Sequence, residues 1–135
     1  MTMTAGYSGK PLIQKLGVRE GDVVAVIDAP SNYDDLVAPL PAGTSRVNGS
    51  DRRAAVTHLF VRDRVSLETQ VQTVFEDRPP GAMVWISWPK KSSRLFVDLT
   101  EDGVREMVLP TGWVDVKVCA VDADWSGLKF LRRRA

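Results

Sequence analysis

Strands that are apolar on both faces alternate with helical segments along this chain. Val23–Ile27 is apolar throughout and rich in β-branching, and Thr57–Val61 and Met83–Trp88 are predicted as further buried strands. Such strands are typical of parallel sheets that helices cover on both sides. Helices are predicted over 10–17, 32–38, 67–77 and 101–108, with Ser31, Ser66 and Thr100 as the N-caps of the last three. The alternation therefore predicts an α/β fold with a mainly parallel sheet.

The two ends of the predicted sheet differ. Val114–Val121 and Leu128–Leu131 are strands joined by about six residues, which is too short for a crossover, so they should form an antiparallel hairpin at one edge. At the other end, 44–47 is a short strand and 48–56 is too polar for a full crossover helix. The prediction is a compact, single-domain, Rossmann-like sheet that resembles the methyltransferase-type architecture, mostly parallel with a C-terminal antiparallel hairpin.

Length and charge limit the organisation of the chain. Its 135 residues fit one domain at 10–131, with a mobile N-terminal segment at 1–9 and a basic C-terminal tail at 132–135. Eighteen basic and seventeen acidic side chains leave a net charge of +1, which argues against nucleic acid as a partner. The single cysteine, Cys119, fits a reducing compartment. No apolar run reaches the roughly 20 residues of a membrane span, so a soluble cytoplasmic protein is predicted.

The turn after the first strand decides whether a nucleotide-type cofactor is expected. A glycine-rich turn is needed there, but 28–32 contains no glycine and Pro30 removes an N–H donor. Asp34 and Asp35 would repel a phosphate, and 44–47 offers no acid for ribose hydroxyls. The sequence therefore predicts no cofactor. One histidine and one cysteine also cannot supply a known zinc site, so no metal is predicted.

Polar and aromatic residues after the strands form the candidate ligand site. In such a sheet, ligands bind beyond the carboxyl ends of the strands. Trp88 and the residues after it follow one strong strand, and Arg62 follows its neighbour. This rim could hold an anionic or aromatic group by cation–π contacts and charged hydrogen bonds. The candidate residues are Asp28, Arg62, Trp88, Lys90, Lys91 and Ser92. The alternative is a solvated loop with Trp88 packed on the sheet.

Two aromatic residues are candidates for contact with a partner. Trp125 lies in the predicted hairpin loop and Tyr7 in a glycine-rich segment that could close over the rim as a lid. A homodimer through the Trp125 loop is left open. His58, inside an apolar strand, is predicted to be a hydrogen-bonded core residue, and Cys119 a small packed thiol.

Four motifs occur together along the chain: 5–17, with Gly6-Tyr7-Ser8-Gly9-Lys10-Pro11; Trp88–Ser92; Asp98–Glu101; and 114–129, with Trp125-Ser126-Gly127-Leu128. In this order they resemble the DUF3052 family of small actinobacterial-type proteins. The resemblance covers nearly the whole chain except 48–55. It implies a bacterial cytoplasmic protein, and it carries no activity and no catalytic residue.

The resulting functional prediction is a non-catalytic, Rossmann-like binding or regulatory protein. It would contact a partner protein or a small anionic ligand at the carboxyl-end rim of the sheet, with no catalytic residue assigned. The alternative is a small transferase that uses adenosylmethionine in an altered pose, with Asp28 facing the cofactor and Lys90 the substrate.

Overall fold

Six strands form one mixed sheet in the computed structural model, which describes residues 11–76 and 78–132. The strands are β1 (Val23–Ile27), β2 (Ser45–Asn48), β3 (Val56–Phe60), β4 (Met83–Pro89), β5 (Trp113–Ala120) and β6 (Trp125–Arg132). Their order in the sheet is β2-β1-β3-β4-β6-β5. The first four run parallel, and β6 is antiparallel to both β4 and β5. The predicted parallel sheet with a C-terminal hairpin is confirmed.

Four helices within the described residues cover the two faces of this sheet. They are α1 (Leu12–Leu16), α2 (Tyr33–Val37), α3 (Arg64–Val74) and α4 (Glu101–Val108), and a 3-10 turn, Leu109–Thr111, follows the last. The apolar side chains of α1 and α2 pack in one core with one face of β1 and β3, whereas those of α3 and α4 pack in a second core with the other face. None of the described helices is long and apolar enough to cross a membrane.

The starts of the helices show which side chains act as caps. Thr100 caps α4 as predicted, because its Oγ1 accepts a hydrogen bond from the Gly103 N–H at 3.1 Å. The prediction of Ser66 for α3 was wrong. Asp63 is the cap, and its Oδ1 accepts from the Ser66 N–H at 2.8 Å, so the helix begins at Arg64. For α2 the cap position is Asn32, one residue after the predicted Ser31, and it makes no side-chain capping bond.

The central strands are buried as their composition predicts. All five residues of β3 are buried, and so are the last six of β4. Trp85 fixes α1 to this centre, since its indole N–H donates to the Leu16 carbonyl at 2.9 Å. Burial on both faces shields the backbone hydrogen bonds between these strands from water. The strands therefore hold the residues at their carboxyl ends rigidly in place.

An arginine holds the link between β2 and β3, where the sequence predicts no crossover helix. The link from β2 to β3 contains no helix, as the polar composition of 48–56 predicts. Arg78 is only 5% exposed. Its guanidinium donates to the Val74 carbonyl at the end of α3, to the Asp51 carbonyl and to Ser50 Oγ at 2.6–2.9 Å. It therefore ties the β2–β3 link to the end of α3.

The hairpin turn is shorter than predicted. Asp122 accepts backbone hydrogen bonds from Asp124 at 2.8 Å and Trp125 at 2.9 Å, so the chain reverses within four residues and β6 already begins at Trp125. Leu128 was predicted as the first residue of this strand. Arg132, predicted to begin the basic tail, is instead the last residue of β6.

Candidate functional site

The turn after β1 forms a wall between two clefts at the carboxyl edge of the sheet. The chain leaves β1 towards β2 on one side and returns to β3 on the other, so β1 and β3 flank the point where the strand order reverses. Asp28 has a φ of 57° and is the one non-glycine residue with positive φ among those described. Aspartate tolerates this conformation better than most residues, but it still costs free energy, and such strain is concentrated at functional sites.

The cleft between β1 and β2, which we call the β1–β2 cleft, has a volume of about 440 Å³. Arg46 on β2 is one of the charged residues that line it. The guanidinium lies 5.5 Å from the centre of the Tyr33 ring, 2.9 Å from a carboxylate oxygen of Asp34, and donates to Asn48 Oδ1 at 2.8 Å. The arginine is thus held by three contacts. Asp28, Ser31 and Gly49 also line this cleft.

The cleft between β1 and β3, the β1–β3 cleft, measures about 290 Å³ and has a different character. Its floor is aromatic, since the rings of Phe60 and Trp125 meet edge to face with centroids 5.0 Å apart. Asp28, Arg62 and Asp63 supply charged groups around that floor. Hydrogen bonds from Ser66 hold the pKa of the Asp63 carboxyl below its usual range, so Asp63 stays ionised as a helix cap. The cleft therefore combines an apolar floor with charges of both signs.

A buried polar network lies beneath the wall between the clefts. His58 is completely buried, with Nδ1 3.0 Å from the Tyr33 hydroxyl and Nε2 2.7 Å from Ser87 Oγ. Burial lowers the pKa of His58 to about 3 and keeps the ring neutral, with one nitrogen donating and the other accepting. Burial also raises the pKa of Tyr33 well above its usual range. The network joins α2 to β3 and β4, and the prediction of His58 as a hydrogen-bonded core residue is confirmed.

The structure brings some of the predicted rim residues together. Asp28 and Arg62 line the same β1–β3 cleft, and so does Trp125, which is only 4% exposed. Trp125 was predicted as a partner anchor in a loop, but it lies at the start of β6 with its ring against Phe60. Tyr7, the other predicted partner contact, lies outside the described residues.

The remaining predicted rim residues lie elsewhere. Trp88 is 4% exposed and packs in the core between the sheet and α3 and α4, which corrects its placement at the rim and agrees with the alternative prediction that it packs on the sheet. Lys90, Lys91 and Ser92 line neither cleft. The backbone N–H of Lys90 donates to the Asp124 carbonyl at 2.8 Å, so this loop bends onto the hairpin turn instead of over the clefts.

Two groups that sequence reasoning missed are Arg46 and the aromatic floor residue Phe60. The segment 44–47, which contains Arg46, was examined only for an acidic side chain that could bind ribose hydroxyls. Phe60 was treated only as part of a strand. An available signal was strand position: Phe60 is the last residue of β3, and Arg46 lies two residues before the end of β2. Within 11–76 and 78–132 no group of side chains could hold a metal ion. Cys119 is half-buried on β5, lines neither cleft, and has a pKa raised by burial.

Comparison with known proteins gives the fold and no closer relationship. No family model matches the sequence, and no curated protein matches it. A SAM dependent methyltransferase from Aquifex aeolicus superposes with a TM-score of 0.60 at 11% identity, covering 88% of this chain and 86% of that one. The N-methyltransferase NodS from Bradyrhizobium japonicum WM9 gives 0.58 at 10% identity, covering 91% and 93%. A protein from Bordetella parapertussis described as possibly exported gives 0.64 at 9%, covering 91% and 65%. This chain has the Rossmann-like methyltransferase fold, and the DUF3052 resemblance stays a prediction.

Adenosylmethionine in its usual pose does not fit the residues at this edge. The β1–α2 turn has no glycine, so Cβ atoms and the Pro30 ring line the place where backbone would approach the ligand. At the end of β2, where an acid would hold the ribose hydroxyls, Asn48 pairs with Val26 and its amide oxygen is bound to Arg46. This chain therefore shares the fold of the methyltransferases, but its residues at this edge do not form the usual adenosylmethionine site.

Proposed function

We propose that this chain is a non-catalytic protein that binds a small molecule carrying an anionic group at the carboxyl edge of its sheet. The observation that carries the proposal is the position of Arg62. It lines an aromatic-floored cleft at the point where the strand order reverses, and its exposed side chain makes no ion pair or hydrogen bond within the described residues. An uncommitted guanidinium beside an apolar floor suits a ligand with an anionic group and an apolar body.

The state of the reactive side chains supports binding over catalysis. His58 is enclosed, bonded at both ring nitrogens and neutral, so it has no route to a ligand. Cys119 has a raised pKa, which disfavours the nucleophilic thiolate. Of the carboxylates, Asp34 is paired with Arg46 and Asp63 caps a helix. These side chains are committed to structure.

The position of Trp125 supports a small ligand over a protein partner. An indole that anchors a partner stands exposed before binding, whereas this one is almost fully buried and forms the floor of a cleft. Only the 4% of its surface that remains exposed can contact a molecule that enters the cleft.

The proposal is tested by calorimetry and thermal denaturation of the full chain with a panel of phosphorylated and carboxylated metabolites, nucleotides and coenzyme A. A ligand at 100 times its Kd should stabilise the fold by about 2.7 kcal/mol, which is roughly 8–10 °C for a chain of this length. Arg62→Met, which retains most of the apolar stem, should abolish the shift. Arg94→Met, at an exposed arginine that lines neither cleft, should keep it. An equal shift in both variants would contradict the assignment.

A second candidate is a transferase that holds adenosylmethionine in an altered pose. It is favoured by one observation, the methyltransferase fold of the structural neighbours. The same panel includes adenosylmethionine and adenosylhomocysteine. Stabilisation by both of these, with none by the anionic metabolites, would support this candidate and count against the first.

We also propose that the chain is a bacterial cytoplasmic protein of the DUF3052 type. What supports this proposal is the set of four motifs in the sequence, which occur in the same order as in that family. An alignment of this chain with sequences that carry all four motifs would test the proposal. Failure of those sequences to align with this chain across 10–131 would contradict it.

A further inference from the structure

We propose that the β1–β3 cleft recognises a zwitterion of amino-acid size, with an ammonium group and a carboxylate on one apolar body. This inference rests on the proposed function and names the class of its ligand. Arg62 would take the carboxylate, Asp28 the ammonium group, and the Phe60–Trp125 floor the apolar body.

Opposite charges left unpaired in one cleft are the first step of the argument. Asp28 and Arg62 are both exposed and line the same 290 Å³ space, yet within the part of the chain that the structure describes they form no ion pair with each other or with any other group. Their charged ends thus lie more than 4.0 Å apart. A ligand that carries both charges satisfies both side chains at once, whereas a simple anion leaves Asp28 as a repulsive neighbour.

The other charged groups around the cleft leave this assignment intact. Asp63 also lines it, but one of its carboxylate oxygens accepts from the Ser66 N–H, which commits it to the cap of α3. Arg62 and Asp28 are then the pair free to respond to a ligand. One guanidinium against two carboxylates makes the cleft slightly acidic, which favours a ligand whose anionic group is accompanied by a cationic one.

The aromatic residues offer the ligand only a small apolar area. Phe60 is 2% exposed and Trp125 4% exposed, and one face of the Phe60 ring is stacked on His58 with centroids 4.3 Å apart. The group in the cleft that would bind an ammonium is therefore the Asp28 carboxylate at its wall.

The backbone of Asp28 is consistent with this role. A glycine would adopt a φ of 57° without strain, yet the position carries a charged side chain at the wall of both clefts. The Asp28→Asn variant is well suited to a test, because asparagine also tolerates this conformation and differs only in charge.

The test uses three probes that share one apolar body: L-phenylalanine, phenethylamine without the carboxylate, and 3-phenylpropionate without the ammonium group. Calorimetry or saturation-transfer NMR on the full chain should give at least a tenfold preference for L-phenylalanine over each of the others. Asp28→Asn should remove its preference over 3-phenylpropionate, and Arg62→Met its preference over phenethylamine. Arg94→Met should change neither, and thermal denaturation confirms that each variant is folded.

The outcomes separate this inference from the proposed function. If 3-phenylpropionate or a phosphorylated metabolite binds through Arg62 and L-phenylalanine binds no better, the zwitterion assignment is overturned and anion binding stands. If L-phenylalanine does not bind, the zwitterion assignment is also overturned. If no probe in either panel binds, both proposals fail.

Discussion

Acidification from pH 7 to pH 5 should destabilise this fold through one residue, His58. It is the single histidine of the chain, and its fully buried ring lies between the Tyr33 hydroxyl and Ser87 Oγ. Burial lowers its pKa to about 3, whereas in the unfolded chain the pKa should be near 6.5. Between these two values the unfolded chain binds a proton that the folded chain does not, so the free energy of unfolding falls as the pH falls.

The size of the effect follows from the two pKa values. The contribution is fully present above pH 6.5 and is lost by about 1.4 kcal/mol per pH unit below it, which amounts to about 2 kcal/mol at pH 5. This is a large fraction of the 5–15 kcal/mol that holds a typical domain folded. Asp63 and Asp115, whose pKa values lie below the usual range, lose their contribution only at more acidic pH. The window from pH 7 to pH 5 therefore isolates the histidine.

Urea denaturation at half-unit steps from pH 7 to pH 5 would measure the effect, with His58→Gln as the matched variant. The variant should be less stable at pH 7 and should lose the pH dependence. In the natural protein, the NMR signal of the histidine ring should not move above pH 4.5. A ring that titrates near pH 6.5, or an equal slope in the variant, would refute the reasoning.

Three further predictions concern contacts that hold the site in place. Tyr33→Phe leaves a fully buried nitrogen of His58 without its partner, and urea denaturation should show a loss of about 1–3 kcal/mol; an unchanged midpoint would mean that the hydrogen bond is absent. Arg78→Lys should lower the free energy of unfolding by about 3 kcal/mol, because one ammonium group cannot replace a guanidinium bonded to three acceptor groups. Stability equal to that of the natural protein would show that these hydrogen bonds do not hold the β2–β3 link to α3. Gly127→Ala should cost about 1–3 kcal/mol in thermal denaturation, since its Cβ would lie 3.3 Å from Ser87 Oγ, and full stability would show that the neighbours yield freely.

The strands of the fold were predictable because burial on both faces leaves a local signature. Val23–Ile27 was predicted with its observed bounds, since a run of five apolar, mostly β-branched residues is typical of a strand buried on both faces. Helix starts were less predictable where two capping residues lie close together. Ser66 fits the pattern of a cap, but the carboxylate of Asp63 reaches the Ser66 N–H and the helix begins three residues earlier than expected.

The candidate site was predicted in part. Asp28 directly follows β1, and Arg62 lies two residues beyond the end of β3. Because the sheet brings the carboxyl ends of its parallel strands to one edge, the proximity of these two residues follows from the topology. The direction of a loop after a strand is not encoded in spacing. Lys90 is bound to the hairpin turn through Asp124, a contact between residues far apart in the chain. Arg46 was missed because its side chain becomes part of a cleft only once β2 is paired with β1 in a particular register.

The buried network explains how a methyltransferase fold can keep its carboxyl-edge clefts while its cofactor turn is different. Tyr33 places its hydroxyl on His58 in the core, so α2 is held against the sheet from its first residue. The chain must then pass from β1 to α2 within a few residues, and Asp28 makes that reversal in the left-handed conformation that a glycine-rich turn would supply. The Tyr33 ring, which fills the space beneath the turn, also packs against the Arg46 guanidinium at 5.5 Å from the ring centre. One set of side chains thus closes off the usual ligand approach and lines the β1–β2 cleft beside it, which is why the fold alone is a poor guide to the ligand.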